Sequence, residues 1–242
     1  MYEPEVPRVV AFFDGQNLFH AVREAFGYTY PNYDPRALAL RLCSARGWKL
    51  VQTRFYTGVP DLADNPFWHK FWAKKLLHMR RQSVAVYSRS IRYVRKEISC
   101  PSGETHSVVV GDEKGVDVRM AIDIISMAYK NKLDVALIFS QDQDMTEVAM
   151  EIRAIAQDQR RWIKIASAYP AAPERRGNRG VDRTDWISFD KMIYDECLDS
   201  TDYRAEINAS EAEPGLAIGP AIGSEPGPET SPAPDPDTDA ED

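Results

Sequence analysis

The stretch Val135-Ala-Leu-Ile-Phe-Ser-Gln-Asp-Gln-Asp144 constrains the fold more than any other part of this chain. Its apolar half shows no polar alternation and is short, as in a parallel strand covered on both faces. It predicts a buried strand over 135–139 that delivers Asp142 and Asp144 to its C-terminal end, followed by a helix from Met145 to Gln157. In open α/β sheets ligands bind in the crevice beyond the carboxyl ends of the strands, so acids placed there meet a ligand or a cation. For Asp144 a plainer role competes, the N-cap of the following helix, because aspartate accepts hydrogen bonds from the free N–H groups there.

Arg8-Val-Val-Ala-Phe-Phe-Asp14 repeats the design, with Gly15-Gln-Asn-Leu18 and a helical pattern to Phe26 behind it. If the two strands are parallel and adjacent, Asp14 reaches the same rim as Asp142, with Gly15 permitting a tight turn. Asn17 then orients that aspartate or touches a ligand. The local alternatives are a turn aspartate at 14 and a helix cap at 17.

The remainder alternates strand and helix. Asp34-Pro35 opens a helix that runs to about Arg46, where Gly47 stops it, and Trp48–Tyr56 reads as a strand. From Asn65 to Gln82 a helix carries Trp68, Trp72, Leu76 and Met79 on one face and Lys70, Lys74, Lys75 and Arg81 elsewhere. Interleaved aromatics and lysines can bind single-stranded nucleic acid, but core aromatics beside a solvated lysine face are the expected arrangement. Val84–Arg89 and Ile91–Ser99 read as strands, Pro101–Glu104 as a turn and His106–Val110 as the returning strand of a hairpin. Arg92, Arg95 and Lys96 lie in it, either gripping phosphate or forming a solvated basic face.

Gly111–Val118 leads into a helix with Val118, Ile122, Ile125 and Tyr129 at helical spacing. Asp117 falls in its first turn, where it complements the helix dipole and faces any cation at the rim. Lys114 and Gly115 suit a basic approach to phosphate, and Asp123 pairs with Arg119 on an exposed face. A strand at 162–167 follows the helix after Asp144. Next come a loop over 169–181 with Arg175, Arg176, Arg179 and Arg183 in or near it, a short strand near Trp186, and a helix over 190–198. The expected fold is therefore α/β: a doubly wound, mainly parallel sheet with helices on both faces and a β-hairpin insertion.

The chain of 242 residues carries 30 basic and 37 acidic side chains, a net charge of −7. Ten of those acids and no Lys or Arg lie beyond Arg204, so residues 1–204 hold 30 basic against 37 − 10 = 27 acidic. The negative balance thus belongs to the tail and does not exclude an anionic substrate. That tail, 205–242, is rich in Pro and acid and has no aromatic residue, so disorder is expected for it and a single domain for 1–204. Cys43, Cys100 and Cys197 have no paired spacing, and the four histidines show no ligand spacing, so neither a disulfide framework nor a zinc site is expected. No run approaches the length of a membrane helix, and the first residues lack the regions of a signal peptide, so a cytoplasmic location is expected. A homo-oligomer is left open.

A doubly wound sheet would gather Asp14, Asp117, Asp142 and Asp144 on one rim. Crowded carboxylates repel, and an oxygen-liking divalent ion, Mg²⁺ or Mn²⁺, is the natural remedy. Such an ion activates water and neutralises charge on a phosphodiester. Acids alone would repel RNA, whereas acids with metal and a basic rim, from Lys114 and the arginines at 89–95 and 175–183, attract it.

Phe13-Asp-Gly-Gln-Asn-Leu18, Lys114-Gly-Val-Asp-Val118 and Ser140-Gln-Asp-Gln-Asp144, in this order, resemble the motifs of NYN domains, a branch of the PIN-like nuclease superfamily. The resemblance covers about residues 8–190. It implies a PIN-like fold and a metal-dependent endoribonuclease whose products carry a 5′-phosphate and a 3′-hydroxyl. Asp14, Asp117, Asp142 and Asp144 match the acidic, metal-holding positions. Asn17 and Ser140 match accompanying polar positions and join Lys114 and Arg92 as candidate substrate-binding residues. The family commonly has Gly where Gln141 stands. A non-catalytic RNA-binding or regulatory module is the alternative, and a different metal-dependent phosphoryl-transfer enzyme is a weaker third.

Overall fold

Val9 to Phe13 are completely buried because the strand that contains them, β1 (Arg8–Asp14), runs through the middle of the sheet. A computed structural model describes residues 1–99, 105–112, 115–175 and 177–205. In chain order the remaining elements are α1 (Gly15–Phe26), α2 (Pro35–Ser44), β2 (Lys49–Pro60), α3 (Pro66–Arg81), β3 (Ala85–Ser99), β4 (Thr105–Asp112), α4 (Val116–Tyr129), β5 (Val135–Phe139), α5 (Met145–Asp158), β6 (Lys164–Pro170), β7 (Asp185–Phe189) and α6 (Lys191–Asp195). The strands form one sheet in the order β4-β3-β2-β1-β5-β6-β7. Every pairing is parallel except β3 with β4, the hairpin. This is the doubly wound, mainly parallel α/β architecture that the alternating pattern predicts.

Two cores lie on the two faces. Phe13, Phe55 and Phe139 point to one, where Leu18 and Val22 of α1, Leu38 and Leu42 of α2, and Phe71, Leu76 and Met79 of α3 cover them. Val10, Phe12, Ala136 and Ile138 point to the other, under Met120 and Ile124 of α4 and Val148 and Ile152 of α5. The register of β1 against β5 sets Phe13 opposite Phe139, and their rings stack with centroids 3.8 Å apart. The residues that follow these two rings therefore leave the sheet side by side.

Several expectations change. The segments 84–89 and 91–99 form one continuous strand, β3, because Ser90 keeps its place in the pairing with Val59. Helix α4 buries Val116, Met120, Ile124 and Ala128, whereas Val118, Ile122 and Tyr129 are exposed. The helix carries two apolar stripes, and the one beginning at Val116 meets the sheet. Asp123 is not half of an exposed pair: it is buried and binds Arg54, the Tyr56 hydroxyl and Arg119 together. Lys75 is not on a solvated face but fully buried, its ammonium on the Tyr33 carbonyl and the Asp199 carboxylate. The last helix ends at Asp195 rather than Leu198. Cys43 and Cys197 are buried free thiols.

Among the described residues no helix is long and apolar enough to cross a membrane. Cys100, the turn 101–104, Lys114, Arg176 and the acidic tail from 206 onward lie outside the described residues, as do the side chains of Arg92, Arg95, Lys96 and His106.

Candidate active site

Asp14 ends β1 in extended conformation and caps α1: its Oδ1 accepts the Asn17 backbone N–H at 3.0 Å. Its other oxygen accepts the Ser140 hydroxyl at 3.3 Å, across from the neighbouring strand end. Gly15 makes this turn for reasons of space. A Cβ there would stand 2.6 Å from Cζ of Phe55 and 3.0 Å from the Tyr56 carbonyl oxygen. The helix can start directly from the strand only because position 15 has no side chain.

The second acidic turn is tied to the first. The Asn17 side-chain oxygen accepts the Gln141 backbone N–H at 2.8 Å. The Ser140 oxygen accepts the Asp142 N–H at 3.1 Å, and Asp142 Oδ1 accepts the Asp144 N–H at 3.0 Å. Asp144 occupies the N-cap position of α5, yet its side chain makes no capping bond. Asp142 thus organises the turn, and the Asp144 carboxylate is exposed. Asp117 stands in the first turn of α4, after Gly115 in left-handed conformation with φ 79°, and is exposed.

Electrostatics join the four carboxyls. Burial, then the charge of Asp117 and more weakly that of Asp142, push Asp14 up to about 7, against the opposing hydrogen bonds from Asn17 and Ser140. Asp117 is also raised, by desolvation from the surrounding protein and by the charges of Asp142 and Asp144. Asp14 and Asp117 thus feel the like charge of the acids around them, which places them in one patch. So β1, α4 and the turn after β5 bring all four predicted acids to the C-terminal rim of the sheet.

Among the described residues no three His, Cys, Asp or Glu side chains form a ready-made metal cage. The donor set is nonetheless all carboxylate oxygen, two members of it disfavour their own charge, and it fits a hard cation. Mg²⁺-type ions bind through one or two carboxylates and keep several waters.

The predicted basic rim is gathered only in part. Arg92 pairs through its backbone with Asp112 in the hairpin, and Lys114 lies outside the described residues. Arg175 is largely buried and structural: it donates to the Pro170 carbonyl, to Glu24 and to the Gln141 side chain. Arg179 and Arg183 are exposed. Sequence reasoning missed the role of the two glutamines. The Gln141 amide donates to the carbonyls of Gly177 and Arg179. Gln143 donates to the Gly180 carbonyl at 3.2 Å and accepts the Asp182 N–H at 3.1 Å. In Ser140-Gln-Asp-Gln-Asp144 the acids serve the rim while the glutamines staple the loop between β6 and β7 to it. Tyr33 was missed as well: it is fully buried, among the described residues its hydroxyl has no hydrogen-bond partner, and burial, then the charge of Asp14, raises its pKa.

Residues 8–170 match the NYN domain family. No functionally curated protein matches the chain. Among solved structures it is similar to a protein of unknown function from Vibrio parahaemolyticus, at 16% identity over 82% of this chain and 99% of that one, with a TM-score of 0.47. It is also similar to ribokinase from Giardia lamblia, at 13% identity over 76% of this chain and 55% of that one, with a TM-score of 0.35.

Proposed function

The chain belongs to the NYN domain family, within the PIN-like nuclease superfamily, and on that premise we propose that it is a metal-dependent endoribonuclease that hydrolyses RNA phosphodiester bonds. One arrangement carries the reading: acids from three separate segments gather at one rim, where burial and the neighbouring acids push Asp14 and Asp117 up. A buried, near-neutral aspartate beside two other acids has little structural purpose, and perturbed carboxyls of this kind cluster at functional sites.

Asp14, Asp117, Asp142 and Asp144 are the residues that would hold Mg²⁺ or Mn²⁺. When bound, such an ion neutralises charge building on the phosphodiester oxygens and makes water a better nucleophile at neutral pH. Asn17 and Ser140 fix the Asp14 carboxyl by a hydrogen bond to each oxygen. Asp142 in turn sets the backbone from which Asp144 projects. Asp14 keeps its proton to about pH 7, so capture of a cation releases that proton. Residues 1–204 act as one unit in this proposal, because the Asp199 segment is pinned to α3 through Lys75.

Cleavage of labelled single-stranded and hairpin RNAs in Mg²⁺, Mn²⁺ or EDTA tests the proposal, with Asp14→Asn and Asp142→Asn as comparisons. Metal-dependent cutting lost in both variants is the expected result. RNA binding without cutting, in wild type and variants alike, would overturn catalysis in favour of a binding module.

A further inference from the structure

Beside the acidic rim, on the α4 side, three arginines and two tyrosines from β2, β3 and α4 interlock. Arg54 donates to the Tyr56 hydroxyl and to Asp123, at 2.8 and 2.7 Å. Tyr56 stands next to Tyr87, with ring centroids 6.1 Å apart. The Arg119 guanidinium lies 5.2 Å from the Tyr87 ring centroid and that of Arg89 lies 5.8 Å from it. Arg89 also donates its Nε–H to the Tyr87 hydroxyl, and its guanidinium is packed against Gly115, 2.9 Å from where a Cβ would be. Gly115 and Arg119 are each two residues from Asp117.

We infer that Arg89 and Arg119, held on Tyr87, form a phosphate-binding station for the RNA strand next to the acidic rim; the inference rests on the ribonuclease reading and names a subsite for its substrate.

Three features point to an anion. Arg54 and Arg119 share one carboxylate, Asp123, at 2.7 and 3.1 Å, so their two charges are only half neutralised by it. Arg119 is anchored through Nε, so Asp123 does not occupy the edge between its two terminal nitrogens. That is the edge with which guanidinium grips phosphate bidentately. Stacking on an aromatic ring then pre-orients both guanidiniums and lowers the ordering cost of binding. Residues two apart on a helix face different ways, so Arg119 and Asp117 reach different phosphates of one strand. The bond to be cut lies at the carboxylates and a neighbouring phosphate lies on Tyr87. Arg119 thereby counters the repulsion between the four acids and the strand.

The test is fluorescence anisotropy of a labelled single-stranded RNA on the full chain carrying Asp142→Asn, in Mg²⁺ over a range of salt. Adding Arg119→Gln or Arg89→Gln is expected to weaken binding about tenfold and to flatten the plot of log affinity against log salt by about 0.7 per lost contact. Tyr87→Leu should weaken binding although it removes no charge, while Tyr87→Phe keeps most of the affinity. Arg119→Lys keeps the charge and guards against misfolding, and should fall between the parent and Arg119→Gln. Arg81→Gln, at the opposite end of the sheet, is the control. Equal affinity and equal salt slope in both Gln variants, or a loss no larger than that of Arg81→Gln, overturns this subsite and leaves the nuclease reading intact. A chain that neither cuts RNA as wild type nor binds it overturns both.

Discussion

The side-chain oxygen of Asn17 accepts the backbone N–H of Gln141 at 2.8 Å, joining two turns that are 124 residues apart in sequence. The same residue's own N–H donates to the Asp14 carboxylate, so Asn17 couples that carboxylate to the backbone that carries Asp142 and Asp144. Asn17→Ala removes the acceptor and leaves the Gln141 N–H without its partner. The expected cost is about 1–2 kcal/mol in urea denaturation. RNA cleavage should fall much further than stability, because a small misplacement of catalytic groups is costly. A variant that loses stability and keeps full activity would show that the tie only supports the fold.

Asp14 gives a pH dependence of definite sign. Its ordinary value is 3.8 and its folded value is about 7, so between these the folded state holds a proton that the unfolded chain has released. Folding stability from this group is complete below its unfolded pKa and is lost as pH rises through about 7. Melting curves in EDTA should therefore show wild type losing stability relative to Asp14→Asn across that window. Mn²⁺ should restore more of it above pH 7 than below, since cation and proton compete for the same oxygens. A difference between the two proteins that is flat with pH would remove Asp14 as the perturbed carboxyl.

Gly15→Ala separates two explanations of one glycine. Position 15 is the first residue of α1 and is not among the residues with positive φ, so helix propensity alone favours alanine by up to about 1 kcal/mol. The added Cβ would meet Phe55 at 2.6 Å and the Tyr56 carbonyl at 3.0 Å. Overpacking of this kind costs about 1–3 kcal/mol, and the net effect in thermal unfolding should be destabilising. A more stable variant would show that the ring moves aside freely.

The central strands were legible because their signal is local: an apolar run with no alternation, broken by an acid, describes β1 and β5 without knowledge of any partner. Their parallel adjacency stood in the sequence only as a condition, which the pairing of β1 with β5 meets, and the NYN motifs follow the same two turns and α4. Helix α4 was harder, since Val116, Met120, Ile124 and Ala128 compete with Val118, Ile122, Ile125 and Tyr129, and only the sheet decides which stripe is buried. Gln141 and Lys75 carried no local signal at all. The first finds its partners in a loop more than 30 residues downstream. The second is buried because Tyr33, Asp199 and Tyr203 surround it from two distant segments. Polar residues buried by long-range partners cannot be told from solvated ones by periodicity.

Lys75 also fixes how far the folded unit extends. Burial holds its ammonium below its ordinary pKa, and the nearby Asp199 carboxylate opposes that shift. The ammonium lies 3.1 Å from Asp199 and 5.1 Å from the Tyr203 ring centroid, so it secures residues 199–203 well past the family match that ends at 170. Lys75→Met strands the Asp199 carboxylate in a largely buried place and should cost about 3–5 kcal/mol in urea denaturation. The double change Lys75→Met with Asp199→Leu should recover much of that loss. If the single variant is as stable as wild type, the pair does not hold the C-terminal segment.

Gln141 is the position where this chain departs from the glycine common in its family, and its side chain makes contacts that glycine cannot. It donates to the Gly177 carbonyl at 3.1 Å and to that of Arg179, and accepts from Arg175 at 2.9 Å. Arg175 in turn reaches Glu24 of α1 at 3.0 Å. Gln141→Gly therefore releases the loop between β6 and β7 at one end while Gln143 still holds it at Gly180 and Asp182. Loss of two or three hydrogen bonds, each worth about 1 kcal/mol, should raise the open population of the loop by tenfold or more. Trypsin reads this directly as faster cleavage at Arg175 and Arg179, with the global urea midpoint little changed, because local opening draws on few of the contacts that hold the sheet. Cleavage at the wild-type rate would mean that Gln143 alone closes the loop. In that case the family's glycine and this chain's glutamine are equivalent at the rim.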